Sequence, residues 1–252
     1  MFIKFSLFYA INYGLFLIFA MIGEHLANRI GSSSNIVHKY LFAIIDNLIH
    51  SMHSFLSWQI LIGLKLFDQR FSTFLVTQQN RLRIIKDLLL TALMASMIDL
   101  DHFIEAKSFS ILAVQKLRNR PFMHNILLMA SLSFVLICLP AKLTNDNDTN
   151  DRSSTKYHNK INDRQSHSTD LNRIGWLLLN ASFTHLTRDS LRRGFCLRPI
   201  IETLRLPKSV YYVQFALFPK LIDSLTNYFA IDFDYSQKTD SDHFDFDEKT
   251  IV

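Results

Sequence analysis

The sequence predicts an all-α protein, a multi-pass transmembrane bundle of about six helices. Nearly half of the 252 residues are apolar (49%), 22 of them Phe, while Gly (6) and Pro (5) are scarce, a balance that favours helices. The apolar residues are gathered into runs of roughly 20, the length a helix needs to cross a hydrocarbon core about 30 Å thick. Long polar stretches separate these runs, so the mean hydropathy is only slightly positive and conceals them.

The first run, Phe5 to Ile22, follows Lys4 and carries Tyr9 and Tyr13. It is longer than a signal-peptide core and lacks a small-x-small cleavage site, so it reads as a retained span. The second, Tyr40 to Leu66, is apolar around Asp46, Asn47, His50 and His53, with Trp58 and Lys65 toward its far end. The third, Ile84 to Phe103, carries Lys86 and Asp87 at its start and Asp99, Asp101 and His102 at its end. The fourth, Phe122 to Leu139, has His124 near its beginning and is expected to stop at Pro140. Residues 1–140 thus hold helices one to four.

Residues 141–173 are Asn, Asp, Ser, Thr, Lys and His with almost nothing apolar, and read as a solvated, disordered loop. The sequon Asn147-Asp148-Thr149 lies in it and is open to glycosylation only if that loop is lumenal. Residues 174–231 hold the last two helices, a short one from Ile174 into His185, Arg188 and Asp189, and another from Ser209 to Ile231. Residues 232–252 form an acidic tail.

Lys and Arg are spread over the loops without aromatic interleaving, which argues against a nucleic-acid partner and for charge flanking a lipid bilayer. Their near-equal division between alternate loops leaves the orientation open. Cys138 sits in an apolar run and Cys196 in a basic segment, so neither a disulfide framework nor a cysteine zinc site is expected.

Ionisable groups within apolar spans cost about 2.5–3.5 kcal/mol each on insertion scales and usually face a bundle interior at a functional site. Here they cluster at helical spacing. Asp46, His50 and His53 fall on one helix face, Asp99 and His102 on another, and His185 and Asp189 repeat the four-residue interval. Asp101 stands ~100° around from His102 and converges with it only near a helix end. With His124, four segments each offer imidazole or carboxylate to one centre, the ligand set of a divalent ion such as zinc, manganese or iron. Blander readings stand beside this one: Asp46 and His50 as a hydrogen-bonded pair, Asp189 paired with Arg192 or Arg193, and Asp101 with His102 as a helix-end motif. His53 reads as a packed or interfacial histidine, and His158, His167 and His243 as solvated ones.

Four segments, DNLIHSMHSFLSW, ASMIDLDHF, RNRPFMHN and FTHLTRDSLRRGFCLRP, taken in that order resemble the transmembrane protein 267 family of multi-pass membrane proteins. More distantly, the order D-x-D-H, R-x-x-x-H, H-x-x-x-D resembles bacterial inner-membrane proteins described as membrane-bound metal-dependent hydrolases. The resemblance implies metal-ligating roles for Asp99, Asp101, His102, His124, His185 and Asp189, with Asp46 and His50 as companions. Five residues before His124 the hydrolase-like pattern has a second histidine, and here that position is Asn119. The expectation is an integral membrane protein with a metal-dependent hydrolase site for a lipid-like or phosphoester substrate, whose anionic group Arg120 and Arg188 would bind. The alternative is a non-enzymatic membrane protein whose polar cluster serves helix packing, structural metal binding or a partner. A proton or ion pathway is weaker, because the charges gather near helix ends.

Overall fold

The structure, a computed structural model, describes residues 2–30, 35–68, 78–117, 119–145, 155–197 and 201–228. It is all-α apart from one small hairpin. In chain order the elements are α1 (Phe2–Ile30), α2 (Ile36–Asp68), α3 (Gln78–Ile98), α4 (Leu100–Glu105) and α5 (Ile111–Gln115). A 3-10 turn (Phe122–His124), α6 (Ile126–Asn145), α7 (Thr155–Arg193), β1 (Cys196–Leu197), β2 (Ile201–Glu202) and α8 (Lys208–Tyr228) follow. Helices α2 and α7 occupy the middle: α2 packs on α1, α3, α7 and α8, and α7 packs on α2, α3, α6 and α8.

Six helices, α1, α2, α3, α6, α7 and α8, correspond to the six expected runs, and the shortest of them has 20 residues. By length and composition, one helical segment among the described residues, Leu7–Leu26, is long and apolar enough to cross a membrane; Ile126–Cys138 is apolar but shorter. The remaining long helices carry charged or amide side chains that lower their hydropathy, as Asp46 and His50 do in α2.

Three boundaries differ from the expectation. Helix α7 begins at Thr155, so residues 155–173, read above as loop, are helical. Extending a helix already anchored by packing adds one hydrogen bond per residue fixed, and no Gly or Pro interrupts 155–174. Helix α6 runs through Pro140 to Asn145, since one missing N–H does not end a packed helix. The third run is broken rather than continuous: α3 ends at Ile98, and a turn at Asp99 leads into α4. Residues 146–154, with the sequon, and 229–252, with the acidic tail and His243, lie outside the described residues.

One apolar cluster at the α2–α3–α7–α8 junction holds Trp58, Leu61, Leu88, Trp176, Leu177, Phe218 and Ile222, with Phe183 stacked on Phe218 at 3.7 Å. A second, between α1, α2 and α8, holds Phe16, Ala20, Leu56, Tyr211 and Phe215. His53 belongs to this second cluster. Its ring lies 4.4 Å from that of Phe16 and its Nδ1 3.3 Å from the Tyr211 hydroxyl, the packed role expected of it.

Polar side chains tie the central helices together. Asn180 of α7 donates to the Ser54 carbonyl of α2 (3.0 Å) and to Thr91 Oγ1 of α3 (3.1 Å), and accepts from Ser57 Oγ (2.7 Å). Nearer one end of the bundle, Arg173 Nε donates to the buried Asp87 carboxylate at 2.9 Å.

The outer faces are apolar at helical spacing. On α1, Leu7, Ile11, Leu15, Ile18 and Ile22 are exposed, and on α3 so are Leu82, Ile85, Leu89, Leu93 and Met97. The interior, by contrast, contains His50, Ser54, Thr91, Asn180, His185 and Arg188, each at most 4% exposed.

Candidate metal centre

Four segments converge where α2, the α3–α4 break, the 3-10 turn and α7 meet. The break at Asp99 matters most for this geometry. Along an uninterrupted helix Asp99 and Asp101 would point apart, whereas the turn brings Asp99, Asp101 and His102 to the same end. The 3-10 turn is held over them because the Met123 N–H donates to Asp101 Oδ2 at 2.7 Å and Asn125 bridges to Cys196 of the hairpin. Gly194 ends α7 with φ 76°, and its N–H donates to the Ser190 carbonyl. A Cβ there would lie 2.0 Å from the Thr203 carbonyl oxygen, so only glycine lets the hairpin return this closely.

Around the centre, His124 Nε2 lies 3.1 Å from Asp189 Oδ2, 3.4 Å from His185 Nε2 and 3.6 Å from Asp99 Oδ1. His185 Nε2 is 3.4 Å from Asp99 Oδ1 and 3.8 Å from Asp189 Oδ2. In a tetrahedral site with bonds of ~2.0–2.1 Å, ligand atoms stand ~3.3–3.4 Å apart, so the Asp99, His124 and His185 donors, 3.4–3.6 Å from one another, are spaced for three positions of such a site, with Asp189 Oδ2 beside them. The His185 ring is already oriented for it. Its Nδ1–H donates to the Ala95 carbonyl at 2.9 Å, which leaves the Nε2 lone pair facing the other three donors.

Asp101, wholly buried, stands one layer behind. Its Oδ2 is 3.4 Å from His124 Nδ1, and its Oδ1 is 3.2 Å from His102 Nδ1, close contacts although Oδ1 forms no well-angled hydrogen bond. This carboxylate faces the rear nitrogen of His124 while Nε2 faces forward. His102 half-faces a cavity and sits edge-on to His124, ring centroids 4.4 Å apart.

His50 stacks on His185 at 3.8 Å, with its Nε2 3.3 Å from Asp189 Oδ1. The same nitrogen is 2.9 Å from Arg188 Nη1, and Arg188 also pairs with Asp46. Asp46 is therefore not a donor to the centre: both of its oxygens are taken, by Arg188 and Arg192. Sequence spacing could not show this, because the two arginines lie more than 140 residues away. Arg192 pairs with Asp46 rather than with Asp189, as does Arg188, which was expected at the substrate. Arg188 is 4% exposed, and a neighbouring glycine makes room for it: a Cβ on Gly23 would lie 2.7 Å from Arg188 Nη2.

Among the described residues, the ion pairs of Asp99, Asp101 and Asp189 run only to imidazole nitrogens. Three carboxylates thus face four imidazoles with no lysine or arginine bound to them, a concentration of negative charge that needs protons or a cation. Three donor triads close enough for an ion occur there: His50/His185/Asp189, Asp99/His124/His185 and Asp101/His102/His124. A second divalent ion on His50 would stand within ~4 Å of the Arg188 guanidinium, a repulsion on the order of 8 kcal/mol at an effective dielectric of about 20.

A cavity of about 480 Å3 opens over Asp99, His102, His124 and Asp189. Its lining includes the cations Lys39, Arg120, Arg192 and Arg193 and the apolar residues Phe42, Ile44, Phe103, Phe109 and Val114. Arg120 is steadied by donating to the Gly194 carbonyl at 2.6 Å. Asn119, in the place of the second histidine of the hydrolase-like pattern, lines the same cavity. Sequence reasoning did not anticipate Lys39, Phe42, Phe103 or Phe109 at the cavity, nor the Ser54–Thr91–Asn180 network, since none carries a motif by itself. The usable signal for the network was the serine spacing at 51, 54 and 57 within an otherwise apolar run.

Curated proteins named Transmembrane protein 267 are similar to this chain. The Mus musculus protein is 28% identical over 188 residues, covering 74% of this chain and 69% of that protein. The Danio rerio protein is 28% identical over 188 residues, covering 75% and 68%, and the Bos taurus protein 25% identical over 191 residues, covering 76% and 71%. The resemblance to the transmembrane protein 267 family therefore holds over about three quarters of the chain. No family model and no solved structure matches. The more distant likeness to metal-dependent hydrolases rests on the D-x-D-H, R-x-x-x-H and H-x-x-x-D residues alone.

Proposed function

We propose that this protein is a multi-pass integral membrane protein whose His/Asp centre holds a divalent metal ion, such as zinc, manganese or iron, and hydrolyses a lipid-like phosphoester. The membrane reading is supported by the transmembrane name of its relatives and by apolar outer faces around buried polar side chains. Helices α1, α2, α3, α6 and α8, each of 20 residues or more, present exposed apolar residues outward, while His, Asp, Asn and Arg side chains are buried between the helices beside the apolar clusters. Water would penalise that arrangement, and hydrocarbon favours it.

The observation that carries the metal reading is the convergence of the Asp99, His124 and His185 donor atoms at 3.4–3.6 Å, with Asp189 Oδ2 3.1 Å from His124 Nε2, within a field of three carboxylates. A divalent ion held by Asp99, His124, His185 and Asp189, with a further coordination position left open to water, would act as a Lewis acid and would bring the pKa of that water toward neutrality. The chain's residues do the remaining work. Lys39, Arg120 and Arg193 hold the anionic group of the substrate, Ile44, Phe103 and Phe109 receive its apolar portion, and Asp101 keeps the His124 ring facing forward.

Purified protein supplied with Zn2+ or Mn2+ should hydrolyse p-nitrophenyl phosphate, bis(p-nitrophenyl) phosphate or phosphatidic acid in mixed micelles, and the Asp99→Asn and His185→Ala variants should not. Metal-loaded protein that turns over none of these esters refutes the hydrolase reading. A non-enzymatic role is favoured by one observation, the fully occupied Asp46–Arg188–Arg192 network that joins α2 to α7. In that case the bound metal would stabilise the fold without turnover.

A further inference from the structure

We propose that the centre takes a single divalent ion, and that the Arg188 guanidinium fills the place a second ion would need. This rests on the metal reading above and concerns how many ions the same residues accept.

The three donor triads overlap, and each overlap is decided by the lone pairs available. A neutral imidazole has one lone pair. That of His185 is at Nε2, because its Nδ1 proton is given to the Ala95 carbonyl, so the two triads sharing His185 compete for one nitrogen. His124 presents Nε2 to Asp189, His185 and Asp99, and Nδ1 to Asp101. Using both of its nitrogens would require an imidazolate, so the Asp101/His102/His124 triad works as a support for the ion at Nε2 and does not hold one of its own.

The remaining position is on His50, where Asp189 presents its other oxygen at 3.3 Å. There the carboxylate would bridge two ions, as in paired-metal hydrolases. Instead, an Arg188 N–H lies 2.9 Å from His50 Nε2, and a guanidinium is never deprotonated in a protein. Its place is fixed by the pair with Asp46, a carboxylate that Arg192 also holds, and by Gly23, which leaves the space it occupies. The structure thus assigns Arg188 as a permanent, covalently tethered cation beside Asp189.

The test is metal stoichiometry of the full-length protein in detergent, by mass spectrometry of the washed protein and by titration with Zn2+. Wild type is expected to hold one equivalent, and Arg188→Met two, the second removed again by a further His50→Ala change. Should Arg188→Met fail to fold because Asp46 loses one of its two arginine partners, the Asp46→Asn plus Arg188→Met variant removes both charges and carries the same expectation. Two equivalents in wild type, or one in both arginine variants, overturns the role of Arg188 and leaves the metal site standing. No bound metal in any form overturns the underlying metal reading instead.

Discussion

Asp101→Asn separates a residue that orients a ligand from one that binds the ion. Asp101 is wholly buried and accepts the Met123 N–H at 2.7 Å, which an asparagine carbonyl oxygen in the same place also accepts. What asparagine cannot do is accept from His102 Nδ1 with the amide nitrogen that replaces Oδ1, and its neutral oxygen is a weaker acceptor for His124 Nδ1 than the carboxylate that now faces it at 3.4 Å. The fold should survive, while the His124 ring loses the negative charge of the partner that fixes its tautomer. Loss of such a supporting carboxylate typically weakens metal affinity by about 10- to 100-fold, or ~1.4–2.7 kcal/mol. Competition of purified protein against a chelating dye for Zn2+ measures this directly, with far-UV circular dichroism reporting the fold. Asp99→Asn should weaken binding more than Asp101→Asn, because Asp99 offers its oxygen to both His124 and His185. An Asp101→Asn affinity within twofold of wild type, or a loss equal to that of Asp99→Asn, refutes the division of roles.

Three other changes probe the scaffold. Gly194→Ala places a Cβ against the Thr203 carbonyl at a positive φ, and should abolish a folded, monodisperse peak in size-exclusion chromatography; a wild-type profile contradicts the close approach. Arg173→Ala removes the guanidinium from the buried Asp87 carboxylate and should lower the melting temperature, a fall that Arg173→Ala plus Asp87→Ala partly restores. Leu89→Lys with Leu93→Lys puts two charges on the outward stripe of α3 at roughly 2.5–3.5 kcal/mol each, and should reduce the carbonate-resistant membrane fraction. Unchanged extraction of that variant contradicts a lipid-facing α3.

Helical spacing revealed much of the site before any coordinates, because residues three and four apart share a face whatever the helix packs against. His185 and Asp189 behave in this way, both presenting to His124. Asp101 was harder. Its position depends on the turn at Asp99, and that turn is set by how α4 and the Met123 segment pack, which local sequence does not encode. Asp46 illustrates the opposite failure: its spacing to His50 suggested a shared ligand role, yet cations from distant α7 reach it first. The stretch 155–173 was read as loop from its polarity, although helix extension needs no apolar face once the following segment is anchored. The apolar cavity wall at Phe103 and Phe109 follows from the same α3–α4 break and was equally hidden.

The account stands most directly on the metal content of the full-length protein, purified in detergent without added metal and then exchanged into metal-free buffer. It predicts close to one equivalent of a divalent transition metal per chain, lost in the Asp99→Ala plus His185→Ala variant while circular dichroism keeps its helical signature. Wild-type protein that retains no stoichiometric metal, and binds none on titration with zinc, manganese or iron, contradicts it.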